Sequence, residues 1–376
     1  MRHVAILTTG LAFGGAETQL VRLAMGLQAR GWTVSVLCIL PPQAFTEELG
    51  AREIPVYTLN LRARPASLRA FPAAIGLLKR LRPDALVSFN LPANILGRLL
   101  GKLAGIPAVI TSIRTESIGR GRRLALRLTD GWSTVTATNS RIVAEKLVRA
   151  GVVSAARAAV IPNGLDIERF QVAPEVRAAR RAELGLAPET FLWVAVGRLQ
   201  PAKDYHTLLE AVGRLAPDAP PLLVAVAGQG ALHAELAGRA AELGVAERVR
   251  FLGLRRDIPA LLNAADALVL SSAWEGMPNA VMEALAAARP VVTTEVGGVR
   301  ELVLEGGSGF IVPPRDADAL AAAMQRLMHL PAETRMAMGQ AGYQHIYDHY
   351  RVEQVISQWE QVICGAIPRD GVQQTV

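Results

Sequence analysis

Cysteine is nearly missing from this chain: of 376 residues only Cys38 and Cys364 carry thiols, and they lie at opposite ends. Two such thiols make neither a disulfide framework nor a zinc site, and they read as the buried thiols of a cytosolic protein. Aromatic residues are scarce at 5%. With no zinc-finger spacing and no interleaving of aromatic and basic residues, stacking platforms for nucleic acid are lacking. Long apolar runs are absent as well. The longest apolar reach, Ala85 to Ile113, is interrupted by Pro92, Arg98, Lys102 and Pro107, which excludes a membrane-spanning helix there. Met1–Leu7 is too short for a signal-peptide core and reads as a first strand, so a cytoplasmic protein is expected. No G-x-G-x-x-G follows any strand, so the dinucleotide fingerprint is missing.

What is present is ample for buried cores, 51% hydrophobic against 19% charged residues, and disorder is excluded. The length suggests two domains. The net charge of +7 conceals an asymmetry, since residues 1–165 hold 21 Lys and Arg against 8 Asp and Glu. A basic half that faces something anionic is one reading; arginines on solvated helix faces are the other.

The first half alternates short apolar runs with amphipathic stretches: strands at Val4–Thr8, Thr33–Leu40, Ala85–Phe89, Ala108–Ile113 and Val135–Asn139, with helices between them. The pattern restarts with strands at Phe191–Val196, Leu222–Ala227, Val249–Leu252, Ala267–Leu270 and Val291–Thr294. Two βα arrays of this kind predict an α/β protein of two doubly wound, Rossmann-like domains facing a cleft, residues 1–170 and 171–350. A last helix at about 351–366 has no strand to follow it and could pack back on the first domain.

Four segments carry chemistry. Gly14-Gly15-Ala16-Glu17 stands between the first strand and helix, where glycines let backbone N–H groups approach a phosphate, or simply make a tight turn. Gly197–Lys203 follows the first strand of the second half. Its Arg198 and Lys203 suit a diphosphate, and they sit poorly at a helix start otherwise. Ser271–Ala284 contains Glu275 in a loop at a strand end and Glu283 inside the next helix. Pro278 would open that helix, leaving the amides of Asn279, Ala280 and Val281 free for an anion between two carboxylates. Such a set fits a nucleotide sugar: hydroxyls, then diphosphate, then ribose.

Glu275-x7-Glu283, with Gly197-Arg198…Lys203, Gly14-Gly15-Ala16-Glu17, Asn163-Gly164-Leu165-Asp166 and Val296–Leu302, resembles the retaining glycosyltransferases of family 4, which have the GT-B fold. The motifs occur in family order over nearly the whole chain. The resemblance implies that Arg198 and Lys203 hold the donor diphosphate and stabilise the leaving group, and that Glu275 contacts sugar hydroxyls. It puts Glu283 on the ribose and Gly15 near the donor phosphate. It implies no cofactor and no metal, in keeping with the absence of an Asp-x-Asp motif at a strand end, and a nucleotide sugar, with UDP favoured over GDP, as co-substrate.

One departure concerns the acceptor side. Where many relatives have a His, the chain reads Thr111-Ser112-Ile113-Arg114-Thr115-Glu116, resembling a Ser-Ile-Arg branch that builds bacterial surface polysaccharides. Arg114 and Glu116 are the acceptor-side candidates. The expected acceptor is a lipid-linked or other membrane-associated glycan of polysaccharide, O-antigen or lipopolysaccharide synthesis. Arg62, Arg64, Arg69 and the run Arg120–Arg127 would dock the protein peripherally on the anionic inner face of the membrane. A GT-B epimerase lacks its carboxylate and His arrangement here. A periplasmic-type binding protein needs a signal peptide, and a nucleic-acid binder rests on charge alone.

Overall fold

The computed structural model describes residues 2–12, 14–61, 67–216 and 219–368; Arg62 and Arg64 lie outside them. The chain forms two compact units, one running to Gly164 and completed by the segment from Val352, the other spanning Leu165–Arg351.

In the first unit the order is β1 (His3–Thr8), α1 (Gly15–Ala29), β2 (Thr33–Cys38), α2 (Thr46–Gly50), β3 (Val56–Thr58), α3 (Ser67–Leu81), β4 (Ala85–Phe89) and α4 (Leu91–Ala104). Then follow β5 (Ala108–Ile113), α5 (Arg120–Leu128), β6 (Val135–Thr138), α6 (Arg141–Arg149) and β7 (Ala158–Val160). The strands make one parallel sheet in the order β3-β2-β1-β4-β5-β6-β7. Strand runs such as Ala85–Phe89 are buried at every position because helices cover both faces of a parallel sheet. Strand order reverses direction between β1 and β4, and in such sheets ligands gather beyond the strand carboxyl ends at that point.

The second unit runs α7 (Pro174–Glu183), β8 (Phe191–Val196), α8 (Tyr205–Arg214), β9 (Leu222–Ala227), α9 (His233–Glu242), β10 (Val249–Gly253) and α10 (Ile258–Ala264). It continues with β11 (Ala267–Leu270), α11 (Asn279–Ala286), β12 (Val291–Thr294), α12 (Val299–Leu302), β13 (Gly309–Val312), α13 (Ala317–His329) and α14 (Ala332–His349). Its parallel sheet has the order β10-β9-β8-β11-β12-β13, so the reversal falls between β8 and β11.

The last helix, α15 (Val352–Ala366), belongs to the first unit. Val355, Ile356, Trp359 and Ile363 enter the core beneath α1. A Cβ on Gly26 would come within 2.1 Å of Ile356 Cδ1, so Ile356 packs into the space that glycine leaves on α1. Glu360 accepts from the Trp32 indole at 2.8 Å and from Arg30 at 2.9 Å, which fixes the rotation of the helix.

Several elements depart from the sequence reading, the short β3, α2 and α12 among them. β2 ends at Cys38 rather than Leu40, just short of Pro41-Pro42. β13, α5 and α14 occupy stretches that the apolar pattern left as connections. No helix among the described residues is long and apolar enough to cross a membrane.

Candidate active site

The second unit brings its candidate residues together at the β8/β11 reversal. Arg198 and Lys203 lie on the loop leaving β8, and Glu275 on the loop leaving β11. The two loops are stitched to each other: Ala273 N donates to Ala202 O at 2.9 Å, and Ser271 Oγ donates to Lys203 O at 2.9 Å. The β11 loop is also tied to β12, with Thr294 Oγ1 donating to Ser272 O at 2.7 Å. Gly297, at φ +48, packs so closely under this loop that a Cβ would lie 2.2 Å from Gly276 O. Glycine is therefore required there for both its backbone angle and its lack of a side chain.

Lys203 Nζ donates to Glu275 Oε1 at 2.7 Å, and Ser272 Oγ donates to the same oxygen at 2.9 Å. Both charged side chains keep under a fifth of their surface, so this is a largely sheltered ion pair. Next in the chain, Asp204 holds a left-handed backbone at φ +45 and accepts from Thr207 Oγ1 at 2.7 Å. Such strain in a residue other than glycine concentrates where a loop must be aimed. Tyr205 then donates from its hydroxyl to Gly197 O at 2.9 Å. Burial, and secondarily the Glu275 charge, pushes that hydroxyl far above its ordinary pKa, so it stays a donor. Arg198, by contrast, is exposed and makes no ion pair or hydrogen bond with the described residues. The arrangement is one open guanidinium beside an ammonium held in reserve by a carboxylate.

The helix after this loop needs a correction. Pro278 has extended angles and caps α11, whose first helical residue is Asn279. The amide of Val281 is not free, because it donates to Pro278 O at 3.2 Å. Of the three amides expected to face an anion, Ala280 N–H keeps no partner among the described residues. Glu283 sits part-buried on α11. The chain does contain one Asp-x-Asp after a strand, Asp316-Ala317-Asp318, but its chemistry is already used. Asp316 caps α13 through Ala319 N at 2.9 Å, and Asp318 pairs with Arg214 at 3.1 Å. Among the described residues no group of three or more His, Cys, Asp or Glu side chains could hold a metal ion.

In the first unit, Gly15 opens α1, and Glu17 folds back over Gly14. Glu17 Oε1 accepts from Asn90 Nδ2 at 2.9 Å, so the loops leaving β1 and β4 are joined at the reversal point of this sheet. Asn90 has φ +74 and ψ 145, a conformation costly for any residue but glycine, and Thr8 Oγ1 lies 3.4 Å from its amide nitrogen. Sequence reasoning gave neither Asn90 nor Ser272 nor Tyr205 a role. Polar residues at the exit of an apolar strand, Asn90 directly after β4 and Ser272 second after β11, were the available signal.

Arg114 follows β5. Its guanidinium is buried, stacked 5.3 Å from the Phe89 ring, and none of its three nitrogens has a hydrogen-bond partner among the described residues. Burial pushes its pKa down to about 9, which still leaves it charged at neutral pH. Glu116, the other acceptor-side candidate, forms an ion pair with Lys146.

Comparison with known proteins fits this geometry. A family model described as "Glycosyltransferase Family 4" matches residues 13–169, and one described as "Glycosyl transferases group 1" matches residues 176–345. The chain is 30% identical over 265 residues to a UDP-Gal:alpha-D-GlcNAc-diphosphoundecaprenol alpha-1,3-galactosyltransferase of Escherichia coli, covering 67% of this chain and 68% of that protein. The chain belongs to glycosyltransferase family 4. This glycosyltransferase is also 30% identical to a D-inositol 3-phosphate glycosyltransferase of Actinosynnema mirum, over 91% of its own length and 92% of the relative's. Several other curated relatives align over only about half of their length. Among solved structures, Anabaena HepE in complex with UDP superimposes with a TM-score of 0.85 at 23% identity, covering 97% of the enzyme and all of HepE. That likeness establishes the fold of the glycosyltransferase as GT-B.

Proposed function

We propose that this enzyme moves a hexose or N-acetylhexosamine, with retention of anomeric configuration, from a UDP-sugar to a lipid-linked or other membrane-associated glycan acceptor in polysaccharide, O-antigen or lipopolysaccharide synthesis. The observation that carries the reading is the pair Lys203–Glu275 beside the open Arg198. A diphosphate entering there draws Lys203 from Glu275 and meets Arg198 as well, so two cations neutralise the charge that grows on the leaving group. Glu275 is released at that moment to accept from hydroxyls of the sugar. The bond from the anomeric carbon to the diphosphate breaks. The acceptor oxygen bonds to that carbon on the same face, and its proton passes to the departing phosphate oxygen. This scheme calls on no separate base and on no metal, since the basic pair supplies the electrostatic stabilisation. Relatives named for UDP-galactose transfer to a diphosphoundecaprenol-linked sugar and for lipopolysaccharide core synthesis support the donor and acceptor class.

Peripheral attachment to an anionic membrane is supported by α5. Arg120, Arg122, Arg123 and Arg127 are exposed on it, together with Leu124 at 57% and Leu128 at 72% exposure. Apolar side chains left bare among cations on one short helix suit an interface of headgroups over acyl chains.

Calorimetric titration with UDP and with GDP, in EDTA, tests the reading. UDP is expected to bind, with affinity reduced about 100-fold or more in Arg198→Ala. Binding of neither nucleotide overturns the donor assignment, and binding that needs added Mg²⁺ overturns the metal-free site.

A further inference from the structure

The carboxyl end of the first sheet holds an unusual concentration of polar atoms without partners. Three nitrogens of Arg114 are buried and unbonded among the described residues, and so are Thr9 Oγ1, Ser112 Oγ and Asn139 Oδ1. Thr9 follows β1, Ser112 lies near the end of β5, Arg114 follows β5, and Asn139 follows β6. Because Ile113 pairs with Thr138, Arg114 and Asn139 are register neighbours one step beyond the last strand pair. Alternation places Ser112 and Arg114 on the same face as Ile110, and Asn139 on that of Ala137, the side of the sheet whose core includes α15.

This end of β5 is not loosely held. Asn94 Nδ2 donates to Ser112 O at 2.8 Å and its Oδ1 accepts from Ser112 N, so the backbone just before Arg114 is clamped from α4. The guanidinium then rests on Phe89, whose ring in turn lies 5.7 Å from Trp359. A buried arginine elsewhere in the same unit shows the contrast. Arg98, whose whole side chain is buried, gives its terminal nitrogens to Leu126 O, Thr129, Thr111 and Thr136 and faces Asp130. A structural guanidinium is thus satisfied by the chain, and Arg114 is not. Ring stacking offsets only part of the cost of desolvating a cation, and an apolar side chain would fill the same space without that cost.

We propose that Arg114 is the receptor for a phosphate group of the substrate, specifically the diphosphate that joins the acceptor's first sugar to its lipid, with Asn139 Oδ1 accepting from a neighbouring sugar hydroxyl. The inference rests on the reading of this enzyme as a transferase to a lipid-linked glycan, and it makes the first sheet a second anion site, chemically separate from the Arg198–Lys203 pair. A guanidinium matches phosphate with parallel N–H donors, and burial strengthens that pairing relative to water.

Two measurements test it. The first is equilibrium binding of farnesyl diphosphate with UDP at saturation, to wild type, Arg114→Met and Arg114→Lys. Affinity is expected to fall at least tenfold in Arg114→Met and to recover in part in Arg114→Lys; equal binding by all three overturns the proposal. The second compares a diphosphate-linked acceptor with a neutral alkyl glycoside of the same sugar. The ratio of their kcat/KM values should drop at least tenfold in Arg114→Met. An unchanged ratio, with both acceptors slowed alike, makes Arg114 a residue that shapes the site rather than one that reads phosphate. If no nucleotide sugar is turned over at all, the transferase reading fails, while the farnesyl diphosphate comparison still decides the fate of Arg114.

Discussion

The two sheets of this enzyme solve the same problem at their carboxyl ends in opposite ways. In the second, the cation Lys203 is already matched with Glu275, and the loops around it are tied together by Ser271, Ser272 and Tyr205. In the first, the Arg114 guanidinium is buried with no counter-charge or hydrogen-bond partner among the described residues. A matched pair keeps the empty site stable and hands over its cation when a stronger anion arrives. An unmatched cation keeps its full attraction for a ligand, at the cost of folding stability.

Replacing each cation by methionine exposes the difference most directly. Lys203→Met should lower kcat/KM by about 10³-fold, near 4 kcal/mol of transition-state stabilisation. It should also destabilise the fold by about 1–3 kcal/mol, because Glu275 loses its counter-ion. Arg114→Met should leave the unfolding midpoint unchanged or raise it. Denaturant unfolding of both variants decides the matter, and a midpoint lowered equally in both erases the contrast.

Next in size is Gly297→Ala. With φ +48 and Gly276 O only 2.2 Å from the new Cβ, the loop bearing Glu275 must shift, at a cost of about 2 kcal/mol or more. UDP-sugar turnover should fall with it, measured beside thermal unfolding. A smaller effect is expected on the basic face: Leu124→Glu with Leu128→Glu should weaken binding to vesicles of anionic phospholipid about tenfold or more, while UDP affinity holds. Vesicle binding that survives both changes would remove α5 from the membrane reading.

The smallest effect concerns Glu360. Its carboxyl is held below the ordinary value, first by the Trp32 indole and then by Arg30. Since the folded state binds the proton less readily, this stabilisation is complete above about pH 4.5 and is lost as pH falls through the lower folded value. Glu360→Gln should flatten that acid dependence by under about 1 kcal/mol, the range of a partly exposed pair. Unfolding midpoints at pH 7 and pH 3.5 measure it.

Much of this architecture was legible in the sequence. Strands Phe191–Val196, Leu222–Ala227, Ala267–Leu270 and Val291–Thr294 stand where their apolar runs put them, because a strand covered on both faces shows an unbroken run. β13 escaped because it begins at a glycine, which cuts its apolar run to Phe310–Val312. α14 escaped because it packs partly through Gly339 and Gly342, which leave no apolar stripe to read. α5 escaped for a different reason, since of its three leucines only Leu126 is buried while Leu124 and Leu128 face outward. At the site, Lys203 and Glu275 were both named, but their mutual pairing depends on β8 lying beside β11, a fact of topology rather than of spacing. The orphaned state of Arg114 was beyond any local pattern, since it depends on what every surrounding element fails to offer.

The return of α15 to the first sheet has a consequence for synthesis on the ribosome. Leu165–Arg351 is a single uninterrupted stretch and can complete its core as soon as it emerges. The first unit emerges earlier, yet it must wait with the Leu20, Leu23 and Trp32 surface uncovered until Trp359 and Ile363 have been translated. The half made first is therefore the half finished last, and a nascent chain stalled before codon 352 would display a bare apolar surface to the chaperones that patrol the exit tunnel.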